Sequence, residues 1–282
     1  MDLDTLTIYI NTFNSKNIYK LFSEEMKRAF TYREFKKVFK QYYKISSKNS
    51  VYYDYRYNNT GEVIWIDLNN KSGIQMVLNE NEIETMTMVP LSDYSDTEVV
   101  SQKSYIMPVD DEFYVFWGGN NALFNYHYSN ELQRYAYDLI IMKEGKSFEG
   151  NGKELENYYC YNSKIVAPNA GEVIATENTI RDNMIGVTDN YNYLGNYIII
   201  KHDNEYSLIA HLKHKSTTLK EGDWVEKGDT IGLVVNSGNS TEPHIHFQLM
   251  DNSDFTNAKS LRIRFDSGID YKKGDIIKNI HN

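Results

Sequence analysis

The chain has 282 residues, a net charge of −9, 41% hydrophobic and 14% aromatic content, and a single cysteine. That length allows one large domain or two ordinary ones, and the apolar content supports a sizeable core. The acidic balance argues against nucleic acid as the main partner, because phosphate binding wants a basic surface. The lone Cys160 excludes an internal disulfide and any zinc site built on two thiolates, so a metal would be held mainly by His and carboxylate. No apolar run is long enough to cross a membrane. Met1 to Ile10 lacks a basic region followed by an apolar stretch, so no signal peptide is expected there; the protein either stays inside or has lost an export segment. The 24 tyrosines are explained more simply by an AT-rich coding bias than by a sugar-stacking surface.

In chain order, residues 1 to 95 read as a small α+β domain. Ile18, Leu21, Phe22, Met26 and Phe30 recur at helical spacing. Thr31 and Glu34 have the spacing of a capping box, with Phe30 and Phe35 placed as a hydrophobic staple, so a helix is expected to start at Thr31. Phe35, Val38, Phe39 and Tyr42 form its apolar stripe, and the many Lys and Arg residues around it read as a solvated face. Four strands follow, over 51–57, 62–68, 73–78 and 83–89, with Asn-rich turns between the first three. The layout loosely resembles cone-shaped nuclear-transport-factor-like modules, and no convergent acid, base or ligand set occurs in it. The polar stretch Pro90 to Glu98 reads as a boundary.

Residues 96 to 282 are expected to form short strands with Gly turns, over 113–117, 138–142, 172–176, 196–202, 205–212, 229–235 and 244–250. Asp203-Asn204 reads as a two-residue hairpin loop. Many short strands with few helices imply an antiparallel sandwich or barrel. In the last of these strands, alternation puts His244, His246 and Gln248 on one face and Ile245, Phe247 and Leu249 on the other. Two imidazoles so placed can divide a task, one binding a metal and the other carrying protons beside it. Alternation in 205–212 puts Tyr206, Leu208, Ala210 and Leu212 on one face and His211 with Ser207 on the other. His202, His214 and His281 show no partner in the sequence.

Three segments then match a known family in order and spacing: Ile209-Ala210-His211-Leu212; Leu219 to Asp229 with Ile231-Gly232; and Asn236 to Phe247, which contains His244-Ile245-His246. Together they closely resemble lysostaphin-type (LytM-like) metalloendopeptidases, which cleave peptide cross-links in bacterial peptidoglycan. The resemblance covers about Tyr161 to Met250. It implies a lysostaphin-type β domain, one Zn2+ per chain with His246 as a ligand, and His211 and His244 as the catalytic pair. It also implies an extracellular or wall-associated protein that acts on peptidoglycan peptides.

The family's upstream ligand motif, H-x3-D, is altered. Asp138 is the best aspartate, and Arg134 stands where the histidine should be; a guanidinium does not ligate zinc. The chain is similar to a divergent branch with an N-Y-H...Q-R-Y-A-x-D arrangement, which implies His127 and Asp138 as the remaining ligands. The alternative is that His127 is a loop histidine and the protein is an inactive scaffold or activator in cell-wall assembly. A lipoyl- or biotin-carrier-like module would account for Gly222 to Gly232 but leaves the histidine pair unexplained.

Overall fold

The structure, a computed structural model, describes residues 1–278, so His281 lies outside the described residues. The chain divides into two compact units, Met1–Tyr94 and Ser95–Asn282.

The first unit runs α1 (Leu3–Asn11), α2 (Ser15–Lys20), α3 (Glu24–Ala29), α4 (Tyr32–Ile45), β1 (Ser50–Tyr57), β2 (Thr60–Asp67), β3 (Ser72–Asn79) and β4 (Glu82–Pro90). The strands form one antiparallel meander in chain order. The capping box at α4 is present: the Thr31 hydroxyl accepts from Glu34 N and the Glu34 carboxylate accepts from Thr31 N. Phe35, Phe39 and Tyr42 are buried, whereas Val38 is exposed. The helical run expected from Ile18 to Phe30 is broken at Leu21–Ser23. There Ile83 N donates to Leu21 O, Ser23 N donates to Ile83 O, and the Ser23 hydroxyl caps α3. Phe22 sits fully inside, so pairing with β4 outweighs continuation of the helix.

The second unit contains β5 (Val100–Tyr105), β6 (Phe113–Trp117), β7 (Tyr137–Ile140), β8 (Lys164–Val166), β9 (Gly171–Glu177), β10 (Asn196–His202), β11 (Glu205–Leu212), β12 (Trp224–Val225), β13 (Thr230–Leu233), β14 (Ile245–Met250), β15 (Ser260–Phe265) and β16 (Ile276–Ile277). The main sheet has the order β12-β9-β10-β11-β14-β7-β6-β16, antiparallel throughout, and β8 pairs with β13. A helical unit with an antiparallel sheet followed by a mainly antiparallel β unit is thus the architecture. Among the described residues no helix is long and apolar enough to cross a membrane.

β14 was expected to be half buried, yet all six of its residues are buried. Ile245, Phe247 and Leu249 join the main core, each contributing about 1.5–3 kcal/mol. The opposite face is covered as well. Met250 joins a second cluster with Leu194, Leu208 and Ala210, and the Gln248 amide donates to Leu132 O. The polar side of the strand is therefore the floor of a site closed over by loops. The simple alternation expected for β11 also fails. Asn196 pairs with Leu212 and Tyr197 with Ala210, which leaves His211 as the extra residue of a β-bulge, with φ of 66°.

Candidate metal centre and flanking histidines

Three adjacent strands carry most of the site. In β14, His246 pairs directly with Asp138 of β7 on one side and with Ala210 of β11 on the other. Asp138, His246 and the bulged His211 thus form a row across the sheet, so residues 108 positions apart in the chain touch as cross-strand neighbours. His246 Nδ1 lies 2.9 Å from Asp138 Oδ1. His127 comes from a single 3-10 turn, Tyr126–Ser129, and its Nε2 lies 3.6 Å from Asp138 Oδ2. All three side chains are buried, and their ligating atoms lie within 4.8 Å of one another. The structure therefore brings together the three residues that the resemblance implied as ligands.

The hydrogen-bond network assigns the protons. The Asn125 amide nitrogen donates to Arg134 O and Ala136 O, so its Oδ1 faces His127 Nδ1 at 2.9 Å and accepts that N–H. The Gln248 amide nitrogen donates to Leu132 O, so its Oε1 accepts the His246 Nε2–H at 3.0 Å. His127 Nε2 and His246 Nδ1 are then left with lone pairs, and both face the Asp138 carboxylate. Three acceptors aimed at one buried point repel one another unless a cation lies between them. Two imidazoles and one carboxylate are a zinc-type donor set, and the residues fit that ion.

A proton can do the same work. Burial opposes charge on His246, yet the Asp138 hydrogen bond and charge outweigh it and raise its pKa. Burial alone would raise Asp138, but the surrounding imidazoles, His127 foremost, hold its carboxyl well below the usual range. Burial pushes His127 down to about 4, with Asp138 opposing and His246 and His244 adding to the fall.

His211 and His244 stand beside the cluster. Their ring centroids are 4.7 Å apart, and His211 is 6.0 Å from His246. His211 Nδ1 donates to Ser237 O at 2.7 Å, and His244 Nδ1 donates to Glu242 O at 2.9 Å. Each ring therefore keeps its Nε2 for the site; that of His244 is 3.9 Å from Asp138 Oδ1. Burial, then the charges of His244 and His246, hold the pKa of His211 well below its ordinary value. His244 precedes β14 rather than lying in it, and the buried Cys160 thiol donates to the adjacent Pro243 O.

Two features escaped the sequence reading. Tyr126 lines the cavity that reaches Asp138 and packs edge-on against Trp117, and burial, with the Asp138 charge adding to it, raises its phenol pKa. Its only sequence signal is its place next to His127. Arg134, read only as a lost ligand, is buried and donates from Nε to Tyr128 O, which braces the turn that carries His127. His202 and His214 do have partners, outside the site: His202 bonds Ala170 O and the Ser207 hydroxyl, and His214 bonds Ile180 O.

One cavity touches the cluster and a second lies on the far side of Gln248. One, of about 230 Å³, reaches Asp138 and His244 and has Trp117, Tyr126, Thr188 and Glu242 in its walls. The other, of about 340 Å³, reaches Gln248 and is lined by Leu132, Tyr193, Leu208 and Phe255 among others.

Residues 155–258 match the model of peptidase family M23. That stretch includes His211, His244 and His246, while His127 and Asp138 lie upstream and are joined to it by the geometry above. The peptidoglycan DD-endopeptidase ShyA of Vibrio cholerae serotype O1 is 33% identical over 116 residues, which are 39% of this chain and 27% of that protein. An uncharacterized metalloprotease of Buchnera aphidicola is 39% identical over 70 residues, 25% of this chain and 18% of that one. The chain thus spans about a quarter or less of the length of these relatives. The catalytic domain of lysostaphin from Staphylococcus simulans is 21% identical, with 45% of this chain and 74% of that chain covered at a TM-score of 0.31. Over residues 155–258 the second unit is thus similar to peptidase family M23, and its matched relatives include LytM-like peptidoglycan endopeptidases.

Proposed function

We propose that this chain is a zinc-dependent endopeptidase that hydrolyses peptide cross-links or stem peptides of bacterial peptidoglycan. The observation that carries this reading is the convergence of the His127, Asp138 and His246 lone pairs on one buried point, with two further imidazoles turned to the same place. A zinc ion held there supplies Lewis acidity, making water a nucleophile near neutral pH and polarising the scissile carbonyl. His244 and His211 each offer a bare Nε2 to take the proton of the attacking water and return it to the leaving amine. The buried Asp138 carboxylate favours the imidazolium formed on the way. The Asn125 and Gln248 amides hold the two ligand imidazoles in the tautomers the metal needs.

The cavity beside Asp138 and His244 favours a residue with a side chain next to the cut bond, since a glycine would leave it unfilled. That agrees with the DD-endopeptidase name of the Vibrio relative. The scaffold alternative needed His127 to stand apart from the cluster, whereas it lies beside Asp138. Elemental analysis of purified protein, combined with mass spectrometry of peptides released from purified walls, tests the reading. One zinc per chain and chelator-sensitive release of cross-linked peptide are expected; zinc-free protein that releases nothing after zinc loading would refute it.

A further inference from the structure

Between β9 and β10, residues 178–195 form an irregular loop, longer than most loops in compact domains. Its backbone is held in place. Asn183 N donates to Asn236 O, Gly186 N to Thr241 O, and Asp189 N to Gly238 O, while Asn239 N donates back to Tyr193 O. The Asp189 carboxylate accepts from Tyr191 N, Asn192 N and the Asn192 amide. Gly195 and Gly238 meet backbone to backbone: a Cβ on Gly238 would lie 2.2 Å from Gly195 N. The partner segment, 236–241, is the one whose Ser237 carbonyl fixes His211 and which leads into His244. The loop is therefore rigidly continuous with the catalytic row.

Its side chains do the opposite of what stability asks. Met184 is 74% exposed, Val187 47%, Tyr191 fully exposed and Tyr193 42%. These four account for much of the large apolar exposure in the second unit and fall within ten residues of one another. Ordering a loop costs roughly 1–2 kcal/mol per residue, and outward apolar groups return none of it, so several of them on one ordered loop mark a contact surface. Thr188 of the same loop lines the cavity that reaches Asp138 and His244, and Tyr193 lines the second cavity beyond Gln248, so the patch borders the site.

Resting on the peptidoglycan reading of the site, we infer that this patch, with Tyr191 at its centre, binds the glycan strand to which the cleaved peptide is attached. Beyond the cavity that takes a peptide residue, the next part of such a substrate is its N-acetylated sugar chain. Sugar rings present C–H faces that stack on an exposed aromatic ring, and their hydroxyl and acetamido groups suit neighbouring amides such as Asn190 and Asn192. The loop carries one cation, Arg181, against Asp182 and Asp189, so it is not built for a phosphate polymer or an anionic lipid surface.

The test is titration of the full chain with soluble glycan strands stripped of all peptide. Wild type is expected to bind, with little dependence on salt. Tyr191→Ala should weaken binding about tenfold, an effect of about 1.4 kcal/mol, at an unchanged melting temperature, and Tyr191→Trp should restore it. Absence of binding by wild type, equal binding by Tyr191→Ala, or binding that collapses in salt would each overturn the inference. Cleavage of a sugar-free cross-linked peptide by wild type tests the peptidase reading separately, so the two can fail independently.

Discussion

The two units bury charge very differently. Among the described residues of the first, Asp67 is the one buried side chain of the Asp, Glu, His, Lys and Arg kinds, and it is satisfied by Asn69 N and the Ser72 hydroxyl. The second buries His127, Arg134, Asp138, His202, Glu205, His211, His246 and Lys273. Burying such groups is costly unless each is paired, so the contrast points to where function lies. Burial alone does not separate site from scaffold, however. His202 uses both ring nitrogens, and Glu205 accepts from Gln102 N, Lys103 N and the Tyr105 hydroxyl. Lys273 lies 3.7 Å from the centroid of the Trp117 ring. His127, His211 and His246 instead satisfy one nitrogen elsewhere and turn the other inward. In the cluster the second nitrogen of His127 and of His246 faces the Asp138 carboxylate, the arrangement that a cation would relieve.

That distinction can be broken most directly at His246. His246→Ala should abolish stoichiometric zinc and with it all wall cleavage, read by elemental analysis and peptide release; full zinc in the variant would remove His246 from the ligand set. A smaller loss is expected at His211→Ala or His244→Ala, where turnover falls about 100-fold or more while zinc stays bound. Near-normal turnover in both would deny them a part in proton transfer. Gln248→Leu sharpens the comparison further, since it removes only the acceptor that fixes the His246 tautomer. Zinc affinity, measured by chelator competition, should drop about 10–100-fold, and Gln248→Glu should recover much of it.

The smallest effect belongs to a scaffold histidine. Burial, partly opposed by the Ala170 carbonyl, lowers the pKa of His202, so the folded protein keeps it neutral. The unfolded chain takes up a proton near pH 6.5 while the folded one does not. His202 therefore contributes stability that is complete above about pH 6.5 and is lost as pH falls towards its lower folded value. Melting curves should show a shallower acid slope for His202→Gln than for wild type; an identical slope would mean that His202 titrates alike in both states.

Local chemistry was legible in the sequence by itself. The Thr31–Glu34 capping box, the Asp203-Asn204 hairpin and the core face Ile245, Phe247 and Leu249 all depend on residues within a few positions of one another, where propensity and periodicity act. The five site residues were reached through family resemblance, and His127 and Asp138 in particular have no local signature that binds them to His246. Tertiary structure alone decided three things. Pairing of β7 with β14 made Asp138 a direct neighbour of His246, because strand order is set by long-range burial and not by spacing along the chain. The β11 bulge placed His211 in the row by holding a non-glycine residue at positive φ, a strain of order 1–3 kcal/mol that only the surrounding packing sustains. The Asn125 and Gln248 amides chose which nitrogen of each ligand histidine stays bare, a choice made by carbonyls at Ala136 and Leu132 that come near only once the chain has folded.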